Sequence, residues 1–401
     1  GMRKTINIGD LGTIITGKTP PTTNKNYYGD YAVFIKPTDI SEHSKYTYET
    51  EEMYSKLAAE KYESSLIPKG AICVPCIGTI GTKMTMAPCD CYTNQSINSI
   101  ICNENYDNEY VYYLIKNFLP GLKAYNLGTA SGREYVSKSN FEKIELVAEQ
   151  DKEIQKKIGI ILSRYDSLIE NYQKQIKLLE EAAQRLFKEW FVDLRFPGHE
   201  NTNIIDGVPE GWEKKSIGEI GTVITGKTPS TSNKENYGGS IPFITIPDMH
   251  TGIYPVSSVF LSEKGAESQS KKYIPQGALI VSCIGTAGLV CITKERCQTN
   301  QQINSLILDD KKMLHYMYFV FLSLKEHLNN IGSNGATMTN VNKSKFEGID
   351  IVVPSSCIIR DFSQRTTPYF ENIKSLQSQL RLLTEARDRL LPKLMSGEIT
   401  I

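Results

Sequence analysis

The stretch GTIITGKT, Gly12 to Thr19, satisfies the spacing G-x-x-x-x-G-K-[ST], and it recurs as GTVITGKT from Gly221 to Thr228. That spacing belongs to loops whose backbone N–H groups wrap a nucleotide's phosphates while the lysine reaches in from a helix start. The residues argue against that chemistry. The loop interior is Ile14-Ile15-Thr16 or Val223-Ile224-Thr225, and β-branched residues favour a strand over a tight turn. Pro20-Pro21 and Pro229 follow, then Thr- and Asn-rich sequence, where the anion-holding helix would have to run. The pattern reads as a strand ending in a Gly-Lys-Thr-Pro turn.

Thiols are the next candidates. Pro75-Cys76 is the dipeptide in which cytosine-C5 methyltransferases hold their nucleophile, but the second copy has Ser282-Cys283. Neither an F-x-G-x-G loop for a methyl donor nor a [DN]-P-P-[YF] motif is present. Cys76 and Cys283 therefore read as core residues at strand ends. The closest cysteines are Cys89 and Cys91, no C-x-x-C is paired with another, and the five histidines are dispersed. Neither a metal site nor a cofactor is expected. Reduced cysteines suit a cytoplasmic protein. No apolar run approaches the roughly 20 residues of a membrane span, and no signal peptide is visible.

What positions these residues is a chain written twice. Its 401 residues suffice for two or three domains. IGDLGTIITGKTPPTTNKNYYG from Ile8 parallels IGEIGTVITGKTPSTSNKENYG from Ile217, and IPKGAICVPCIGTIG from Ile67 parallels IPQGALIVSCIGTAG from Ile274. TNQSINSI from Thr93 parallels TNQQINSL from Thr299, and SKSNFEKIEL from Ser137 resembles NKSKFEGIDI from Asn342. A period of half the chain is too long for a solenoid and fits a duplicated domain.

Each half runs from a globular part to a helical part. AICVPCIG and ALIVSCIG read as buried strands, VYYLIKNFL and LHYMYFVFLSL as apolar helices, giving an α+β class without a βαβ rhythm. Ile154, Ile158, Ile161, Tyr165, Leu168, Tyr172, Ile176, Leu179, Ala183, Leu186 and Trp190 form a narrow seam with one stutter. Tyr369, Ile373, Leu376, Leu380, Leu383, Leu390 and Leu394 form a second, with Arg387 in one slot. Pro197-Gly198 is expected to close the first helix, and Pro392 to kink or end the second. The expected organisation is a first domain over 1–149, a helix over 150–193, a second domain over 194–354 and a helix over 355–401.

The ordered set of GKTP turns, IPKGA…GTIG and IPQGA…GTAG segments, TNQ…IN segments, and EQDKEI leading into a long helix resembles the specificity subunits of type I restriction–modification systems. SSCIIRDF departs from the usual Glu-Gln form of that last element. The resemblance covers nearly the whole chain. It implies two similar target-recognition domains held apart by two long antiparallel helices forming a coiled coil. It implies double-stranded DNA as ligand, a two-part site with a fixed gap, and two modification subunits that methylate adenine, which restriction subunits can join. It implies that the specificity chain itself is non-catalytic. A domain–helix–domain–helix chain of this kind has a pseudo-twofold axis and meets DNA as inverted half-sites.

Residues identical in both halves are shared scaffold or shared phosphate contacts, whereas residues that differ at matched places are better placed to read bases. Lys18 and Lys227 are either phosphate contacts or solvated turn lysines. Asn94, Gln95, Asn300 and Gln301, with Asn98 and Asn304, carry amides suited to adenine edges, though their identity across halves favours structural hydrogen bonds. The loops GTASGREYVSKS from Gly128 and GSNGATMTNVNKS from Gly332 share a frame and differ inside. Arg133, Tyr135, Thr337 and Asn340 are the preferred base readers. Lys83, opposite Val290 of the second half, is another. The 45 basic and 45 acidic residues balance, so either basic residues cluster on one face or, the preferred reading, the modification subunits supply much of the charge that DNA binding needs. The competing readings are a nucleotide-binding or methyl-transferring enzyme and a coiled-coil scaffold without DNA.

Overall fold

Ile72–Pro75 and Leu279–Ser282, almost wholly apolar runs, are buried along their length. Each is an inner strand of a four-stranded antiparallel sheet. A computed structural model describes residues 2–128, 131–333 and 339–401. It divides into a first unit, Gly1–Asn171 with Arg381–Ile401, and a second, Tyr172–Leu380.

In the first unit the sheet order is Gly12–Thr16, Ile97–Cys102, Ile72–Pro75, Thr85–Met86. In the second it is Gly221–Thr225, Ile303–Leu308, Leu279–Ser282, Val290–Ile292. Register is preserved: Thr16 faces Asn98 and Val74 faces Asn98 from the other side, as Thr225 and Val281 flank Asn304. A three-stranded sheet stands beside each, centred on Tyr28–Ile35 or Tyr237–Ile244, with one parallel pairing. Arg3–Asn7 in the first unit and Glu213–Ser216 in the second, which follows the short hairpin Ile204–Ile205 with Val208–Pro209, pair with the last strand before the long helix, Glu145–Glu149 or Asp350–Val353. This pairing closes the repeat where the sequence returns to its helical part.

The apolar helices form as their composition requires. Asn108–Phe118 is capped by Asp107, whose side chain accepts from the Tyr110 N–H. Leu314–Ser323 is followed by a further helix, Lys325–Ser333. In the first unit Ile14, Val74 and Ile100 of the sheet share a core with Val111, Ile115, Ile158 and Leu162. In the second, Val223, Val281 and Leu306 share one with Met317, Phe321, Ala183 and Phe187. Each of these side chains other than Ala183 contributes about 1.5–3 kcal/mol by leaving water.

The long helices are Lys152–Phe187 and Ser356–Ser396. Within the second unit they run antiparallel: Trp190 lies against Phe362, while Leu179 shares a cavity with Asn372 and Leu376. One seam position is corrected. Leu168 is 45 % exposed, and the buried face passes through Leu162, Asp166 and Ile169 instead. The first helix ends before Pro197, loosening into a π turn over Lys188–Val192, after which Leu194 takes a left-handed φ of 55°. The second helix runs through Pro392 to Ser396 and stops at Gly397, whose φ of 81° favours glycine. No helix among the described residues is long and apolar enough to cross a membrane.

Candidate nucleic-acid interface

The repeated strand ends in a hydrogen bond repeated to the same distance. Thr16 Oγ1 donates to Asn98 Oδ1, and Thr225 Oγ1 to Asn304 Oδ1, both at 2.6 Å. Beyond it, the Gly17 N–H donates to the Ile97 carbonyl at 3.2 Å and the Lys18 N–H to that of Thr93 at 2.9 Å. Gly226 and Lys227 do the same to Ile303 and Thr299 at 3.1 and 3.0 Å. The backbone donors that would cradle a phosphate are thus spent on this chain's own carbonyls. No helix follows the lysine; the next regular elements are the short 3₁₀ turns Lys25–Tyr27 and Lys234–Asn236. The glycine has a separate cause: a Cβ on Gly17 would sit 2.1 Å from the Thr93 oxygen, and one on Gly226 2.0 Å from that of Asn300.

The turn is pinned on its other side by residues that differ between units. The Lys18 carbonyl accepts from the Tyr54 hydroxyl at 2.5 Å, the Lys227 carbonyl from Gln269 Nε2 at 2.6 Å. Both lysine side chains are exposed, and neither ammonium group forms an ion pair with a described residue.

The TNQ segments lie directly against these turns. Asn94 Oδ1 accepts from the Ser96 N–H at 3.0 Å, and Asn300 Oδ1 from the Gln302 N–H at 3.1 Å. These are local turns that amide side chains stabilise. Gln95 Oε1 accepts from the Thr19 hydroxyl, and Gln301 Oε1 from that of Thr228 at 2.5 Å. Asn98 and Asn304 are buried, and Asn304 Nδ2 also donates to the Val341 carbonyl at 3.0 Å.

Cys76 and Cys283 connect this region to the divergent loops. The Cys76 N–H donates to the Ser96 carbonyl at 2.7 Å while its own carbonyl accepts from Val136 at 2.8 Å. Cys283 bridges Gln302 and Val341 in the same way, at 2.8 Å on each side. Burial pushes both thiols up to about 11, so neither is a thiolate nucleophile at neutral pH. In the first unit Glu134–Tyr135 pairs with Ile77–Gly78, and Asn126 Oδ1 accepts from the Gly128 and Tyr135 N–H groups at 2.9 and 2.8 Å. In the second, Thr339–Asn340 pairs with Ile284–Gly285.

Arg133 and Asn340 are exposed and Tyr135 half-buried, all beside these short ladders. Thr337 lies outside the described residues. Lys83 is half-buried, two positions before Thr85, which pairs with Cys73. In the first unit Lys18, Lys83, Asn94, Gln95, Arg133 and Tyr135 therefore gather at one end of the four-stranded sheet. In the second, Lys227, Asn300, Gln301 and Asn340 do so. Thr19, Thr228 and Asn126 also belong to this end but were not singled out in the sequence. The threonines were visible there as invariant members of the repeated turn, whereas nothing marked Asn126 as the clamp of its loop.

Comparison with known proteins agrees with this duplicated arrangement. The family described as the type I restriction modification DNA specificity domain matches residues 3–181 and 209–364. The HindI specificity subunit of Haemophilus influenzae is 36 % identical over 314 residues, covering 62 % of this chain and 68 % of that protein. The MjaIX specificity subunit of Methanocaldococcus jannaschii is 29 % identical over 402 residues, 98 % of this chain and 93 % of the relative. In fold, the crystal structure of a type I S subunit from M. genitalium superposes with a TM-score of 0.62 at 15 % identity, covering 98 % of this chain and 96 % of the other. The chain belongs to the type I restriction–modification DNA specificity family.

Proposed function

We propose that this chain is the DNA-sequence-recognition subunit of a type I restriction–modification assembly. Each unit reads one half of a bipartite site on double-stranded DNA. The two long helices set the gap and dock two modification subunits, which carry the methyl-donor site and which restriction subunits can join. The chain is itself non-catalytic and acts in the cytoplasm. The observation that carries this reading is convergence: in both units the repeated turn, the TNQ segment, the Cys-Ile-Gly-Thr loop and the divergent loop meet at one end of the same sheet. Shared residues there are suited to backbone contacts and divergent ones to base edges. Arg133, Tyr135 and Lys83 are the proposed readers of one half-site, Thr337 and Asn340 of the other. Lys18 and Lys227 contact phosphates. A balanced charge of 45 against 45 makes the isolated chain a weak DNA binder whose affinity rises on joining its modification subunits. The test is adenine-methylation mapping of host DNA with and without this gene. Loss of a bipartite mark is expected; an unchanged methylome in a host with active modification subunits would refute it.

A further inference from the structure

Gln95 and Gln301 are the exposed amides of the TNQ segments, and their surroundings restrict what they can recognise. A glutamine amide ordinarily both donates and accepts, so a free one reads no single polarity. Here a hydroxyl from the neighbouring turn engages the oxygen: Thr19 donates to Gln95 Oε1, and Thr228 to Gln301 Oε1 at 2.5 Å. The threonines are held by the pinned backbone of the turn, since the preceding lysine is hydrogen-bonded through both its N–H and its carbonyl. The Nε2 hydrogens of both glutamines are left without a partner among the described residues. The same pair forms independently in both units, although the anchors behind it, Tyr54 and Gln269, are unrelated.

From this geometry we infer that Gln95 and Gln301 present their Nε2 donors to acceptor atoms of DNA, and that Thr19 and Thr228 are the positioning residues that hold each amide by its oxygen. This rests on the DNA-recognition reading above. The acceptor is a purine N7, a guanine O6, a thymine O4 or a phosphate oxygen. An amide free to turn would offer its oxygen as readily to an adenine or cytosine amino group; one held through that oxygen by threonine turns its Nε2 outward.

The test uses the chain assembled with its modification subunits, reading site preference by methylation mapping and affinity by titration with a duplex carrying the mapped site. Gln95→Ala is expected to lower affinity about five- to tenfold, the loss of one good donor contact. If the acceptor lies on a base edge, one position of one half-site relaxes; if it is a phosphate, all sites weaken alike. Either supports a donor. Gln95→Glu should bind more weakly than Gln95→Ala, because a carboxylate meets an acceptor. Thr19→Val should reproduce much of the loss and, where the acceptor lies on a base edge, admit an amino-bearing base at the same position, and Thr19→Ser should restore wild-type affinity and preference. The matching changes at Gln301 and Thr228 should act on the other half-site. Wild-type affinity and preference in Gln95→Ala, Gln95→Glu equal to or tighter than Gln95→Ala, or Thr19→Val without effect would each overturn the inference. Failure of the wild-type assembly to bind or mark any bipartite site would instead overturn the DNA reading beneath it.

Discussion

The two units solve the same packing problem with opposite chemistry. Each must join a sheet-covering helix to a pair of long helices. In the first unit the junction is ionic. Asp166 and Arg387, each under a tenth exposed, meet at 2.6 Å, and the Tyr113 hydroxyl donates to the same carboxylate. Nearby, the Lys45 ammonium pairs with Glu109 and lies about 5 Å from the ring centroids of Tyr112 and Tyr113. In the second unit the junction is aromatic. Phe187, Trp190 and Phe191 surround Phe362 at centroid distances of 4.9–6.4 Å. His315, in the second unit's apolar helix Leu314–Ser323, stacks on Phe370 at 3.9 Å. The difference teaches that duplication preserved the ladders at the interface end and left the helix junction free to diverge. Any well-packed junction holds a helix pair, but only one backbone arrangement presents the turn.

The sharpest way to break this comparison is Arg387→Ala. It strands a buried carboxylate and should destabilise the first unit by about 3–5 kcal/mol. Two units need not unfold together, so the measurement is hydrogen exchange of amides over residues 158–169 against those over residues 362–373. Protection should fall in the first set and hold in the second. The double change Asp166→Leu with Arg387→Met, which converts the junction to the apolar kind, should recover most of the loss. Equal loss in both sets would show that the junctions are not independent.

Acid should act in the opposite place. Burial pushes His315 down to about 4 from its ordinary 6.5. Its Nδ1 lies 2.9 Å from Thr366 Oγ1, whose own proton goes to the Phe362 carbonyl, so the ring is neutral and donates through Nδ1. The unfolded chain binds the proton below pH 6.5 and the folded one only near pH 4. The second unit's stability is therefore full above pH 6.5 and declines as pH falls towards 4, by about 2 kcal/mol at pH 5. His315→Phe preserves the stacking and should flatten that decline, read as the urea midpoint of the second unit at pH 7 and pH 5. A decline of equal size in the variant would place the acid sensitivity elsewhere.

These junctions also show where the sequence stopped being legible. The duplication, the buried strands, the apolar helices and the failure of the phosphate-loop pattern could all be read from residue types. The path of the first seam could not. Asp166 occupies a buried slot that apolar periodicity assigns to no one, so the pattern drifted onto Leu168, which the structure leaves in solvent. Arg387 looked like a flaw in the second seam for the same reason; its partner is 221 residues away. At the interface, Gly17 carried its signal in the repeat, but the cause, a carbonyl that would lie 2.1 Å from a Cβ, is a tertiary fact. Tyr54 and Gln269 do one job with unrelated side chains, so no comparison of the halves would find them.

Interface substitutions test the other side of the comparison, that the ends are alike in frame and different in reading. Arg133→Ala should relax one half-site only, and Asn340→Ala the other only, each by about 1–3 kcal/mol at its own position. Methylated sites sequenced from cells carrying each variant give the answer. A change in the same half-site for both, or equal weakening of every site, would remove these loops from base reading.

The smallest effect is expected from the lysines of the repeated turns. Lys18 and Lys227 sit in identical turns, exposed and without an ion pair among the described residues. A phosphate contact carries no sequence, so Lys18→Ala and Lys227→Ala should leave the recognised site unchanged. Each should weaken DNA binding by the assembled complex uniformly and reduce the slope of log affinity against log salt by about 1. The double variant should reduce it by about 2, because the two turns lie in separate units and distant sites add. ATP should not shift the melting of any of these proteins, since the Gly17, Lys18, Gly226 and Lys227 N–H groups already have carbonyl partners. An unchanged salt slope would make both lysines solvated turn residues. An ATP-dependent shift lost on substitution would return the phosphate loop to consideration, and with it an enzyme in place of a reader.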